Sequence, residues 1–135
     1  MADDFPATIG ELAKVTGTKA VTIRYYEQIG LLPAPKRTSG NYRAYERAHL
    51  ERLSFIRRCR YLGFTLDQVR ELLGLASQED QDCRRVDRIA AQHLASVEEK
   101  IADLDRLAAE LRRISSRCRG GGRIAECRII EALSP

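Results

Sequence analysis

Between Cys83 and Cys118 the chain contains neither glycine nor proline, and this uninterrupted stretch constrains everything around it. It is rich in Ala, Leu, Glu and Arg. It also follows an acidic, polar run (Ser77, Gln78, Glu79, Asp80, Asp82) that suits a helix N-terminus. One long helix is expected. Leu94, Val97, Ile101, Leu104, Ala108 and Leu111 recur at spacings of three and four, a narrow apolar seam of coiled-coil type. A helix from Cys83 to Cys118 would be about 52 Å long, more than the width of a domain this size, so it projects and pairs with a second copy of itself. A homodimer is expected.

That helix leaves one compact domain of roughly 75 residues. With 44% hydrophobic and 31% charged residues the chain can fold, and no segment approaches the about 18 apolar residues of a membrane span. The start, Met1, Ala2, Asp3 and Asp4, is acidic where a signal peptide would be basic. A cytoplasmic protein with no membrane partner is expected. The net charge of +4 is uneven: residues 1–75 hold 12 Lys/Arg against 8 Asp/Glu, residues 76–135 hold 11 against 11. From Lys36 to Arg60 eight basic residues face two acidic ones, a balance that suits a polyanion such as DNA or is simply a solvated face.

Thr8 is placed to cap a helix from Ile9 to Val15 that Gly17 ends, and Thr18 to begin a second running to about Gln28 before Gly30 and Pro33. Two short helices across a tight glycine turn are the helix-turn-helix pattern, whose second helix enters the major groove. Thr22, Arg24, Tyr25 and Tyr26 offer hydroxyl and guanidinium donors there, although Ile23 and one tyrosine must pack inward. Arg37 to Tyr45, with Ser39, Gly40 and Asn41 at its centre, predicts a short hairpin, a wing. Arg43 and Tyr45, two apart, share a strand face and are expected to grip phosphate together. A third helix from Glu46 to Leu62 is expected to bury Leu50, Leu53, Phe55, Ile56 and Leu62. It exposes Arg52, Arg57, Arg58 and Arg60, of which Arg57 and Arg60 join the DNA-binding set. After Gly63, Thr65 caps a fourth helix with Leu66, Val69, Leu72 and Leu73.

These residues resemble the MerR family of transcriptional regulators: Ile9-Gly10-Glu11-Leu12-Ala13, Thr22-Ile23-Arg24-Tyr25-Tyr26-Glu27, Gly30-Leu31-Leu32-Pro33, Gly40-Asn41-Tyr42-Arg43-Ala44-Tyr45, Phe55-Ile56-Arg57 and Leu62-Gly63-Phe64. The match runs in order through residues 8–75, and the long helix and terminal cysteine loop extend it over nearly the whole chain. The resemblance implies a dimer on a near-palindromic operator between badly spaced promoter elements of double-stranded DNA. It also implies that ligand binding twists the DNA so that RNA polymerase can use the promoter.

The cysteines point to the ligand. Cys59, among basic residues on the third helix, reads as a small packed residue. Cys118 and Cys127 flank Arg119 to Glu126, a Gly-rich loop that can fold back to join two sulfurs, and thiolates close together select soft metal ions. Two thiolates alone suit linear monovalent copper. In the family resembled, copper sensors lack a cysteine at the start of the long helix, whereas sensors of divalent mercury, lead, cadmium or zinc have one; here it is Cys83. Zinc usually takes a fourth ligand, and His93, ten positions into the helix, reads as a seam-edge or solvent residue. Cadmium, lead or mercury is therefore favoured over zinc, although water or Glu126 could complete a zinc site. Arg119 and Arg123 either offset a tris-thiolate charge or are solvated.

One long helix cannot bring Cys83 and Cys118 to the same ion, so Cys83 is expected from the partner chain, which requires antiparallel pairing. The plainer alternative is a two-cysteine site with Cys83 a bystander. An enzyme is not expected, since the thiols have no nearby base and there is no phosphate-binding loop. A regulator of the same build answering redox stress through its thiols is the alternative function. The expected architecture is mainly α: a winged helix-turn-helix DNA-binding domain (1–75), a linker and antiparallel coiled-coil dimerisation helix (76–117), and a metal-binding loop with the C-terminal segment (118–135).

Overall fold

Thr8 and Glu11 start the first helix by satisfying each other: the Thr8 hydroxyl accepts from the Glu11 amide at 3.2 Å and the Glu11 carboxylate from the Thr8 amide at 3.3 Å. In this computed structural model, residues 5–118 and 120–135 are described, so Met1 to Asp4 and Arg119 lie outside the described residues. The chain divides into two compact units, Met1–Asp82 and Cys83–Pro135.

In the first unit α1 (Ile9–Thr16) ends at Gly17, φ 68°, and α2 (Ala20–Gln28) follows after the turn. The antiparallel strands β1 (Lys36–Arg37) and β2 (Arg43–Ala44) pair Lys36 with Ala44 and Arg37 with Arg43. Asn41, φ 66°, takes the left-handed position of their turn, and the Thr38 hydroxyl accepts from the Tyr42 amide at 3.2 Å. Then come α3 (Arg47–Tyr61) and α4 (Leu66–Ala76), the latter opened by a Thr65–Gln68 capping box. Leu12, Ile23, Leu32, Tyr45 and Leu53 form one buried cluster, with Ile9, Ala13, Tyr26 and Leu50 packed at its edge. Each fully buried aliphatic side chain contributes about 1.5–3 kcal/mol, more than the roughly 1 kcal/mol of one hydrogen bond, so this cluster chiefly fixes α2 against α1 and α3.

In the second unit α5 (Arg84–Ser115) runs for 32 residues, about 47 Å at the helical rise, and α6 (Arg128–Leu133) packs against it. Ile89 and Ile114 are buried, while Leu94, Ile101, Leu104 and Leu111 stand 53–64% exposed in the single chain. No helix among the described residues is long and apolar enough to cross a membrane.

Four expectations need correcting. The long helix stops short of both cysteines, with Cys83 at its N-cap and Cys118 beyond its C-terminus. Helix α2 starts at Ala20 rather than Thr18, because the Thr18 amide donates to the Thr16 hydroxyl at 3.3 Å and Lys19 takes the cap. Phe55 and Leu62 are 38% and 48% exposed. The buried stripe of α3 is His49, Leu53, Ile56 and Cys59; Phe55 falls beside that stripe and Leu62 is the C-cap.

Gly17 is doubly constrained. Its φ is left-handed, and a Cβ there would run into the Arg57 guanidinium. Gly17→Ala is expected to destabilise the first unit by about 1–2 kcal/mol from the backbone alone, read as a lower midpoint in urea unfolding.

Candidate functional site

Helix α2 presents Arg24 and Tyr25 to solvent and Thr22 partly so, while Ile23 is fully buried and Tyr26 half-turns into the core edge. Alternation around the helix explains this: with Ile23 inward, its neighbours 22, 24 and 25 flank the outward face. On the wing Arg37 and Asn41 are exposed, the Arg37 guanidinium donates to the Asn41 carbonyl at 3.1 Å, and the Tyr42 ring lies over Gly40. Tyr42 is 75% exposed, an amphipathic tip absent from the residues expected to touch DNA.

Tyr45 is the correction within this set. It is wholly buried, its amide and carbonyl bond to Ala7 at 2.9 and 2.8 Å, and its hydroxyl donates to Glu27 Oε1 at 2.5 Å. Burial, and then the Glu27 carboxylate, push its pKa far above the ordinary phenol value. Arg43 does share its strand face, but that face turns to α2, where the Arg43 guanidinium lies 3.7 Å from Glu27 Oε2. Of the pair expected to grip phosphate together, Tyr45 is buried on the Glu27 carboxylate and only Arg43, 33% exposed, still reaches solvent. Glu27 carries a role the sequence reading did not assign. The available signal was a lone acid on a helix otherwise offering donors.

Several basic side chains of α3 and α4 act on backbone carbonyls. Arg52 Nε donates to the Leu31 carbonyl at 2.7 Å, Arg60 to Phe64 at 2.7 Å and Arg70 to Ile29 at 2.7 Å. Arg57 remains exposed against the Gly17 turn. His49, buried beside Tyr45, has Nδ1 accepting from the Glu46 amide at 3.0 Å. The proton therefore sits on Nε2, which donates to the Pro33 carbonyl at 3.1 Å.

The second constellation lies after α5. Gly120, Gly121 and Gly122 all take positive φ, 73–86°, a path that side chains resist, and it folds the loop back. A short turn, Ile124–Glu126, leads to Cys127 at the N-cap of α6. Cys118 and Cys127 come within side-chain hydrogen-bonding reach on an open concavity of about 720 Å³ that Arg123 and Glu126 also line. The Cys127 thiol is drawn below its ordinary pKa by the backbone amides of Ile130 first and Ile129 next, with Cys118 adding to them. Burial pushes the Cys59 thiol the other way. A stabilised thiolate beside a second thiol is a donor set for soft cations. Cys83, exposed at the start of α5, is not part of it: among the described residues no three His, Cys, Asp or Glu side chains converge. Glu126 is exposed at the rim and His93 is half-buried on α5.

Residues 7–75 match the family described as MerR HTH family regulatory protein, and residues 50–114 the one described as MerR, DNA binding. The mercuric resistance operon regulatory protein of Bacillus cereus is 41% identical over 93% of this chain and 95% of its own length. The lead(II) complex of the transcription regulator PbrR691 from Ralstonia metallidurans CH34 is similar at TM-score 0.81 and 40% identity, covering 95% of this chain and 99% of that one. The mercury(II) complex of the dual-function regulator MerR from Bacillus megaterium MB1 follows at TM-score 0.69 and 37% identity, over 94% and 98%. The chain therefore belongs to the MerR HTH family of regulatory proteins and is a transcription regulator rather than an enzyme.

Proposed function

We propose that two copies of this chain pair through α5 as an antiparallel coiled coil and bind a near-palindromic promoter operator in the cytoplasm. A divalent soft metal ion, cadmium, lead or mercury in preference to zinc, is the inducing ligand that lets RNA polymerase use the promoter. Its ligands are Cys118 and Cys127 of one protomer with Cys83 of the partner subunit. The observation that carries this reading is the thiol placement: two sulfurs meet in the loop, while the third stands exposed at the far end of a 32-residue helix. With metal–thiolate bonds of about 2.3 Å, a helix about 47 Å long excludes a three-thiolate site within one chain. An antiparallel partner brings its own Cys83 to the loop, whereas a parallel partner would set the two Cys83 residues together and away from both loops. The exposed Leu94, Ile101, Leu104 and Leu111 supply the surface such a pairing needs. The metal-bound relatives, one holding lead and one mercury, support the choice of ion.

The DNA reading rests on Thr22, Arg24 and Tyr25 facing outward from α2 beside a wing carrying Arg37, Asn41 and Arg43. Arg24→Ala or Arg43→Ala is expected to weaken operator binding by about 1–3 kcal/mol and flatten its salt dependence while the dimer stays folded; fluorescence anisotropy over a salt series measures both. The cross-chain site is checked by mixing. A Cys83→Ser chain combined with a Cys118→Ser/Cys127→Ser chain is expected to regain one three-thiolate site per heterodimer, seen as ultraviolet charge-transfer absorption that neither homodimer gives. An intact heterodimer without that band would remove the cross-chain assignment. In the metal-free protein near neutral pH, Cys127 should be alkylated faster than Cys59, because its lowered pKa leaves more thiolate while burial keeps Cys59 protonated. Peptide mapping after limited iodoacetamide treatment reads the order. Acidification through the Cys127 pKa restores its proton, so metal affinity should fall with pH.

A further inference from the structure

Glu27 occupies the last turn of α2 with its side chain only 10% exposed, an unexpected place for a carboxylate on a helix that faces a polyanion. Its two oxygens have separate work. Oε1 accepts a hydrogen bond from the buried Tyr45 hydroxyl at 2.5 Å, which ties the carboxylate to the core. Oε2 lies 3.7 Å from Nε of Arg43, whose side chain is 33% exposed at the base of the wing. The carboxylate therefore stands between a guanidinium group and a phenol. The 3.7 Å separation is longer than a hydrogen bond of about 2.9 Å, so it orients Arg43 without saturating its donors. With its side chain 33% exposed, Arg43 can also meet an oxygen from outside.

We propose that Glu27 is a specificity-determining positioning residue: anchored by Tyr45, it aims Arg43 so that this arginine meets a DNA phosphate only when α2 is seated in its register. The proposal rests on the DNA-binding reading and deepens it. A mobile arginine would attract any phosphate, which raises affinity for every duplex alike. An arginine held from one side loses part of that general attraction and keeps the contact at one geometry. Removing the carboxylate should therefore lower the discrimination between operator and random DNA rather than binding as such.

The test uses the full-length chain, a duplex that the wild type selects from a random-sequence pool, and a scrambled duplex of equal length. Glu27→Gln keeps an acceptor for the Tyr45 hydroxyl while removing the charge. It is expected to weaken binding to the selected duplex about fivefold or more, to leave or tighten binding to the scrambled one, and so to lower their ratio at least about fivefold. In an Arg43→Ala background the same change should leave the ratio where Arg43→Ala alone put it. Tyr45→Phe, which frees the carboxylate and keeps its charge, should shift the ratio in the same direction by a smaller factor, and it serves in place of Glu27→Gln should that chain not fold. An unchanged ratio, or an equal fall with and without Arg43, overturns the proposal, since a purely structural Glu27 would act alike in both backgrounds. A wild-type chain that selects no duplex at all overturns the DNA-binding reading first, and the proposal with it.

Discussion

A phenol at the centre of a small apolar core has to find an acceptor, because an unsatisfied buried hydroxyl costs several times what a satisfied one contributes. Tyr45 finds Glu27, and that bond links the strand of the wing to the last turn of the recognition helix. The rest of the first unit follows from it. The wing strand is held at Ala7 by the Tyr45 backbone, and the ring fills the cluster between Leu12, Ile23 and Leu53. His49 packs edge-on against the ring and completes the turn at Pro33. Among the described residues no buried side-chain nitrogen or oxygen lacks a partner. The two parts proposed to meet DNA, α2 and the wing, are thus oriented by the interior rather than by their own surfaces.

The helices of this chain are legible in its sequence because their signals are local. Thr8 with Glu11, Thr65 with Gln68, and Gly17 after α1 each act within a single turn of backbone. Cys118 and Cys127 are legible for a related reason: three consecutive glycines leave the loop free to take the positive φ values that bring its ends together. What could not be read is which side of an element faces the core. The two-residue spacing of Arg43 and Tyr45 fixes a shared face, and only the packing of α2 against it decides that this face points inward. Phe55 illustrates the same limit on α3, since an aromatic one position off a stripe looks identical in sequence to one within it. Helix α6 was missed because six residues after a glycine run carry too little periodicity to register.

Counting positive charge also overstates what is available to a polyanion. Of the basic residues between Lys36 and Arg60, Arg52 and Arg60 donate to backbone carbonyls. Fewer phosphates can be neutralised than the net charge suggests, so the number of counterions released on binding lies below the count of arginines. The surplus charge serves the fold first and the field around it second.

Arg52 and Arg70 reach from α3 and α4 to the carbonyls of Leu31 and Ile29, two residues apart in the segment that follows the recognition helix. A helix fastened in this way at its C-terminal end cannot tilt or slide on its own without breaking charge-assisted bonds to both neighbours. Arg52 and Arg70 therefore tie α3 and α4 to the end of α2, so that a displacement of α4 is passed to α2 through side chains as well as through the backbone. The end of α2 is thus set by three elements at once, and its direction is a property of the whole first unit rather than of the turn that follows it.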